Sequence, residues 1–346
     1  MIKEVEVKIL NKKVNVLCWL FYFVIYVSGC GIQEKEIEQI PDFILTYAEN
    51  HQENYPTTKG ALKFAELVEE RTNGKVLIQV KYGGEFGTQQ QMVNQMKFGG
   101  VDFARVSLSS ISDDLPKLNV LQLPFLYEDS EHMWKVLDGE IGQQFWESFY
   151  ELNLVPLSWY DAGARSFYSA EKPIRTVEDI EGMSIRVQES QMMRDMISLL
   201  GGNPVDLAYT EVYSAFETGK IDAAENSFPS YHVSRHYEVA KYYTLDEHTR
   251  VPEIQLMSGR TWEKLPEEYK QIILACAEES AEYEKQIWKE QEELSYKEAV
   301  KQGCEVIILS ESEVERFREK MIPLYELYCL EYMEIVEEIK LMQGGL

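Results

Sequence analysis

Three pieces of one stretch decide the reading: Asp-Ala-Gly-Ala-Arg-Ser-Phe (Asp161–Phe167), Glu-Gly-Met-Ser-Ile-Arg-Val (Glu181–Val187), and Tyr-Thr-Glu-Val-Tyr-Ser-Ala-Phe-Glu-Thr-Gly-Lys-Ile-Asp-Ala-Ala-Glu-Asn (Tyr209–Asn226). Arg165 and Arg186 each interrupt a short apolar or aromatic run, where a charge is out of place. Spacing alone leaves two readings open. Each arginine is exposed or paired with an internal acid, or both guanidiniums point into a cleft and hold an anion. Arginine suits the second role because its planar fork offers a carboxylate two parallel hydrogen bonds.

The rest of the chain sharpens that choice. A formal net charge of −25 excludes a nucleic-acid binder, which needs a basic face. The same field repels any anionic ligand, so an anion site here must be a local positive pocket. At 346 residues the chain is long for one core and suits two domains. Five cysteines (Cys18, Cys30, Cys276, Cys304, Cys329) form no CxxC pair, and five histidines form no HExxH cluster, so neither zinc nor another cofactor is expected. Cys276, Cys304 and Cys329 read as buried thiols, with one disulfide between two of them open as an alternative.

Residues 1–29 read as an address. Lys12 and Lys13 precede the apolar run Val14–Val27, and Ser28-Gly29-Cys30 follows it. The run is short for a bilayer span and ends in small residues, as before a signal cleavage site. A cysteine at that place resembles a bacterial lipobox, which makes Cys30 the expected lipidation site and residues 30–41, polar and acidic, a tether.

From there strands and helices alternate. Phe43–Ala48 is a strand. A helix follows in which Ala61, Phe64, Ala65 and Val68 share one face, ending at Asn73-Gly74. Val76–Tyr82, Val101–Val106, Leu118–Leu123, Leu154–Tyr160 and Glu305–Leu309 read as further strands. Gln89–Phe98, Glu131–Leu137, Ile141–Leu152, Ser190–Leu200 and Tyr209–Glu217 read as helices. Pro266–Gln302 is one long helical pattern, too long for a small domain, so it crosses between two lobes or projects as a rod. Glu313–Met342 is a helical tail broken at Pro323. This is an α/β alternation, in which ligands sit at strand ends.

With these pieces placed, the chain resembles the extracytoplasmic solute-binding proteins of tripartite ATP-independent periplasmic (TRAP) transporters, the DctP type. The likeness is carried by His51, Lys59-Gly60, Phe64-Ala65-Glu66, Gly87, Gln89–Met92, Val120–Tyr127, Glu181–Val187, Glu211-Val212-Tyr213 and Gly219 through Asp222 to Asn226. It implies an α/β, two-lobe, periplasmic-binding-protein-like fold of class II type with a lobe-spanning helix. Lobe I is expected at 42–163 and 252–291, lobe II at 164–251 and 292–346. It implies that Arg186 bridges the ligand carboxylate, that Asn226 donates its amide to the same group, that Arg165 matches a second arginine of varying role, and that Tyr209 lines the pocket. Asn50 or its neighbour Glu49, Gln89 and Ser107 are expected to line the first lobe's side. Arg105 shares a strand face with Ser107 and either adds a charge to the site or pairs with Glu49 or Asp161. Glu49, His51, Gln89 and Asp161 favour a polyhydroxylated acid: a hexuronate such as glucuronate or galacturonate first, a C4-dicarboxylate second, a sialic acid third.

The expected partners are an organic acid, the small and large membrane subunits of the transporter, and the membrane itself through the lipid anchor, on the outer face of the cytoplasmic membrane or in the periplasm. Two rivals remain. A ligand-loaded sensor for a membrane kinase would share the fold and pocket. A surface glycosidase could use a carboxylate pair such as Glu49 and Asp161. But 59 acidic residues make chance pairs common, and no nucleophile elbow or phosphate loop appears, so no enzyme is expected.

Overall fold

The apolar runs of the sequence form two mixed sheets, seen in a computed structural model that describes residues 40–342. Cys30, the segment 1–29 and nearly all of the tether 30–41 lie outside the described residues. The first sheet has the order β2-β1-β3-β10-β4 and the second β11-β9-β5-β8-β6-β7. In chain order the strands are β1 (Phe43–Ala48), β2 (Val76–Lys81), β3 (Phe103–Ser107), β4 (Leu154–Tyr160), β5 (Ala164–Ser169), β6 (Ser184–Val187), β7 (Asn203–Asp206), β8 (Ala223–Asn226), β9 (Tyr242–Arg250), β10 (Glu253–Ser258) and β11 (Glu305–Ile308). β1 pairs in parallel with β2 and β3, and β6 with β7 and β8. β10 runs antiparallel between β3 and β4, and β5 antiparallel between β8 and β9. Every residue of β3, β4, β5, β8 and β10 is buried, as befits strands covered on both faces. Pro204, which cannot donate to a ladder, sits on the edge strand β7.

The chain passes between the sheets three times: from β4 to β5 through Asp161–Gly163, from β9 back to β10 through Val251 and Pro252, and from β10 to β11 along a long helix. Gly163 has φ of +66°, and a Cβ there would lie 3.0 Å from Trp288 Nε1, so the first crossing needs glycine on both counts. The long helix Glu267–Lys301, 35 residues and about 52 Å at its ordinary rise, lies across both sheets. Tyr160 of β4 reaches its Ser280 at 3.2 Å, and Tyr296 stands edge-on to Phe228 of the second sheet's side, centroids 5.3 Å apart. The helix Pro56–Arg71 packs beside it.

Two expectations are corrected. Leu118–Leu123 is not a strand: Pro116–Gln122 is a 3₁₀ turn, opened by Pro116, whose leucines and valine are all buried. A short apolar run is ambiguous by period, and here proline decides. The tail is three helices, Glu311–Met321, Pro323–Cys329 and Met333–Leu341. It packs on both neighbours: Tyr325 Oη donates to Pro124 O at 2.6 Å, and His132 Nε2 to Ile339 O at 2.9 Å, while Tyr328 bonds Asp195. Cys276, Cys304 and Cys329 are free, buried thiols.

The two helices are in tight contact at Gly60, where an added Cβ would lie 3.0 Å from Glu284 Cβ of the long helix and 2.8 Å from Tyr160 Cε2 of β4. Tyr160 and Glu284 are both fully buried and have no room to withdraw. Gly60→Val therefore destabilises the fold by about 2–3 kcal/mol, measured by denaturant unfolding; unchanged stability would show that the helices are not in contact there.

Candidate functional site

Parallel strands aim their C-terminal ends at one place, and the loops that follow β1, β2, β6, β7 and β8 surround a cavity of about 330 Å³. Asn50, His51, Tyr55 and Gln89 line it from the first sheet's side; Arg165, Arg186, Tyr209 and Asn226 line it from the second. The two sides touch at its rim. Tyr55 Oη bonds Ser230 Oγ at 2.7 Å, and the His51 ring meets Tyr209 edge-on with centroids 4.7 Å apart.

Three arginines are buried here, and their partners differ. Arg105 is wholly enclosed. It donates to both oxygens of Glu49, to Asn50 Oδ1 at 2.6 Å and to His51 Nδ1 at 2.6 Å, and its Nη1 lies 2.9 Å from Glu253 Oε2. Arg165 is held by both oxygens of Glu225 and donates to Asn226 Oδ1 at 3.2 Å. Arg186 has no carboxylate among the described residues. Its Nε and Nη2 both donate to one backbone carbonyl, Leu207 O, at 3.0 and 2.8 Å, and the remaining edge of the guanidinium faces the cavity. At 3% exposure it is a buried cation, and burial, helped by nearby Arg165, pulls its pKa below the usual arginine value.

The arginines also fix the neighbouring dipoles. Because Arg165 and Ser227 N both donate to Asn226 Oδ1, the Asn226 amide must turn its NH₂ toward the cavity. Arg105 and Gln89 do the same to Asn50 by occupying its Oδ1. His51 accepts from Arg105 at Nδ1, so its proton sits on Nε2, and burial together with Arg105 lowers its pKa to about 4. It is thus a neutral donor at physiological pH. Gln89 Oε1 is taken by Ser107 N at 2.7 Å and Ser110 Oγ at 3.0 Å.

Glu49, Ser107 and Asp161, expected on the cleft wall, stand behind it. Burial opposes ionisation of Glu49, but Arg105 and His51 hold its pKa down at about 2. The open alternatives for Arg105 resolve to the internal pair with Glu49, joined by Glu253. Ser107 serves through its backbone. Asp161 accepts from Trp134 Nε1 at 3.0 Å and Gly163 N at 2.8 Å, and so shapes the first crossing. Their burial has a common reason: each satisfies a group that cannot reach water.

Tyr55, Gln188, Ser230, Glu253 and the neighbours of Tyr209 (Leu207, Ala208, Thr210 and Glu211) also line the cavity and escaped the sequence reading. Glu253 carried a usable signal. It is an acid opening the apolar run Glu-Ile-Gln-Leu-Met-Ser, the same incongruity that marks Arg165 and Arg186.

Behind Arg165 the pairing continues: Glu225 lies 3.7 Å from His248 Nε2, and His248 Nδ1 is 2.8 Å from Asp246. Burial disfavours a charged His248, but Asp246 and Glu225 outweigh it and raise its pKa to about 9, from an ordinary 6.5. A raised pKa means the stabilisation is complete below about 6.5 and disappears as pH rises through about 9. The stability advantage of wild type over His248→Gln is therefore largest near pH 6 and shrinks by about pH 10, read from denaturant unfolding at each pH. A gap of constant size would contradict the charged state.

The chain is similar to bacterial solute-binding proteins in sequence and in fold. The sequence profile of "Bacterial extracellular solute-binding protein, family 7" (DctP) matches residues 47–331. A TRAP periplasmic solute-binding protein of Roseobacter denitrificans, solved with bound β-D-glucuronate, is 37% identical with a TM-score of 0.83, over 88% of this chain and 100% of that one. One from Sulfitobacter sp. NAS-14.1, with bound β-D-galacturonate, is 35% identical with a TM-score of 0.82, over 87% and 100%. One from Sulfurospirillum deleyianum, with bound succinate, is 27% identical with a TM-score of 0.83, over 88% and 100%.

Proposed function

The chain belongs to family 7 of the bacterial extracellular solute-binding proteins, and from that membership we propose that Arg186 grips the carboxylate of a hexuronate in the cavity. The protein is a TRAP-type extracytoplasmic solute-binding protein, a binding component of transport rather than an enzyme, with a hexuronate the favoured ligand. The observation that carries the proposal is the free edge of the Arg186 guanidinium. A buried cation with one carbonyl for company is costly, and a ligand carboxylate supplies the missing charge and acceptors. The Asn226 amide donates to the same carboxylate, and Tyr209 closes over it.

Donors that neutral hydroxyls can use, His51 Nε2 and the Asn50 amide, line the opposite side. This supports a sugar acid over a plain C4-dicarboxylate, for Arg165 and Arg105 are already neutralised by Glu225 and Glu49. The ligand would bridge lobe I (42–163 with 252–291) and lobe II (164–251 with 292–346), bind their closed arrangement better, and shift the population toward it. The rim contacts of Tyr55 with Ser230 and of His51 with Tyr209 are what such closure would make. The closed form is then the species offered to the TRAP membrane subunits. Cys30 as a lipid anchor belongs to the same proposal. No helix among the described residues is long and apolar enough to cross a membrane.

A thermal-shift series tests this. Glucuronate or galacturonate at a hundredfold excess over its dissociation constant adds about 2.7 kcal/mol of stability and raises the midpoint, while succinate and malate do not. Arg186→Ala weakens binding by about 3–5 kcal/mol and abolishes the shift. Wild-type behaviour of that variant, or a response to dicarboxylates alone, would overturn the proposal.

A further inference from the structure

One buried acid in the cavity has no use in the grip on a carboxylate. Glu253 is the first residue of β10, set in register between Ser107 of β3 and Tyr160 of β4, where the chain has just returned from the second sheet. It is only 6% exposed, yet it lines the cavity. Its Oε2 lies 2.9 Å from Arg105 Nη1, although the two are not aligned for a hydrogen bond. Its Oε1 has no donor among the described residues. The charges facing it are Arg105 from β3, Glu49 from the end of β1 and Arg165 from β5. Arg105 is already clasped by Glu49, so this wall carries two carboxylates for one guanidinium and is net negative when both are ionised.

We propose that Glu253 is the residue that selects a hydroxylated monocarboxylate over a dicarboxylate, by accepting hydroxyl hydrogens of the ligand at Oε1 and repelling a second carboxylate. The inference rests on the hexuronate reading above and names what enforces it. With its acid group on Arg186, a sugar acid turns hydroxyls toward the first sheet's side. Hydroxyls both donate and accept. They can donate to Glu253 while accepting from His51 Nε2 and the Asn50 amide. A carboxylate in that position only accepts, and wherever Glu253 is ionised it meets a like charge with no unpaired cation among the described residues to offset it. Burial, with Glu49 adding to it and Arg105 opposing, pushes the Glu253 carboxyl up to about 7. An acid so poorly solvated gains most from new donors. Loss of one partner of a buried polar contact is also how sites reject analogues that lack a hydroxyl.

Calorimetric titration of wild type, Glu253→Gln and Glu253→Asp with glucuronate, galacturonate and succinate tests this, with circular dichroism checking that each variant is folded. Wild type prefers the uronates to succinate by at least about a hundredfold. Glu253→Gln, an isostere without the charge, loses about tenfold or more in uronate affinity and narrows the gap to succinate. Glu253→Asp keeps the rejection of succinate, because it keeps the charge. The inference is overturned if Glu253→Gln retains wild-type uronate affinity and selectivity, or if Glu253→Asp admits succinate. It is equally overturned if wild type itself, whatever the variants' folding, takes succinate as well as glucuronate. Wild type that takes up neither uronate fails the underlying hexuronate reading instead, and so separates the two.

Discussion

A buried guanidinium needs a counter-charge, and this molecule buries three of them around one cavity. The desolvation cost of each is several kcal/mol, and water cannot reach in to repay it. Glu49 and Glu253 answer Arg105. Glu225, backed by His248 and Asp246, answers Arg165. Among the described residues Arg186 is answered only by the Leu207 carbonyl. In a chain with 59 acidic residues against 34 basic ones, an acid could have been supplied there at little cost in sequence. That it is missing at this one position is what turns a structural cation into a binding group, and it does so against a global field that repels anions.

The two satisfied pairs matter as much as the unsatisfied one. They hold the amides of Asn50 and Asn226 and the ring of His51 in fixed orientations, so the donors face inward before any ligand arrives. Preorganisation of this kind reduces the ordering cost of binding. The fold serves it directly. Two crossings and one long helix bring the C-terminal ends of strands from both sheets to a common cavity, and the glycines at positions 60 and 163 let the helix lie close enough to do so.

Much of this was legible in the sequence. The helix Glu267–Lys301 announced itself by length, and Arg165 and Arg186 by a charge set in apolar surroundings. What was not legible depended on pairing between distant residues. Arg105 meets Glu49 across 56 positions, and Arg165 meets Glu225 across 60. No local pattern says which acid faces which base, so Glu49 and Asp161 read as cleft residues when they stand behind the wall, and Arg105 stayed open between the cleft and an internal pair. The strands β5 to β8 are four to six residues long, too short for a period to declare itself. Glu253 was missed for a related reason: its strand lies at the second crossing, whose partner strands come from positions far earlier in the chain.

The most direct measurement is a crystal structure of the protein with glucuronate bound. The ligand carboxylate is expected about 2.7–3.1 Å from the free edge of Arg186, with the Arg165–Glu225 and Arg105–Glu49 pairs undisturbed. A carboxylate seated on Arg165 with Glu225 displaced, or an Arg186 still holding nothing but Leu207 O beside a bound ligand, would contradict that expectation.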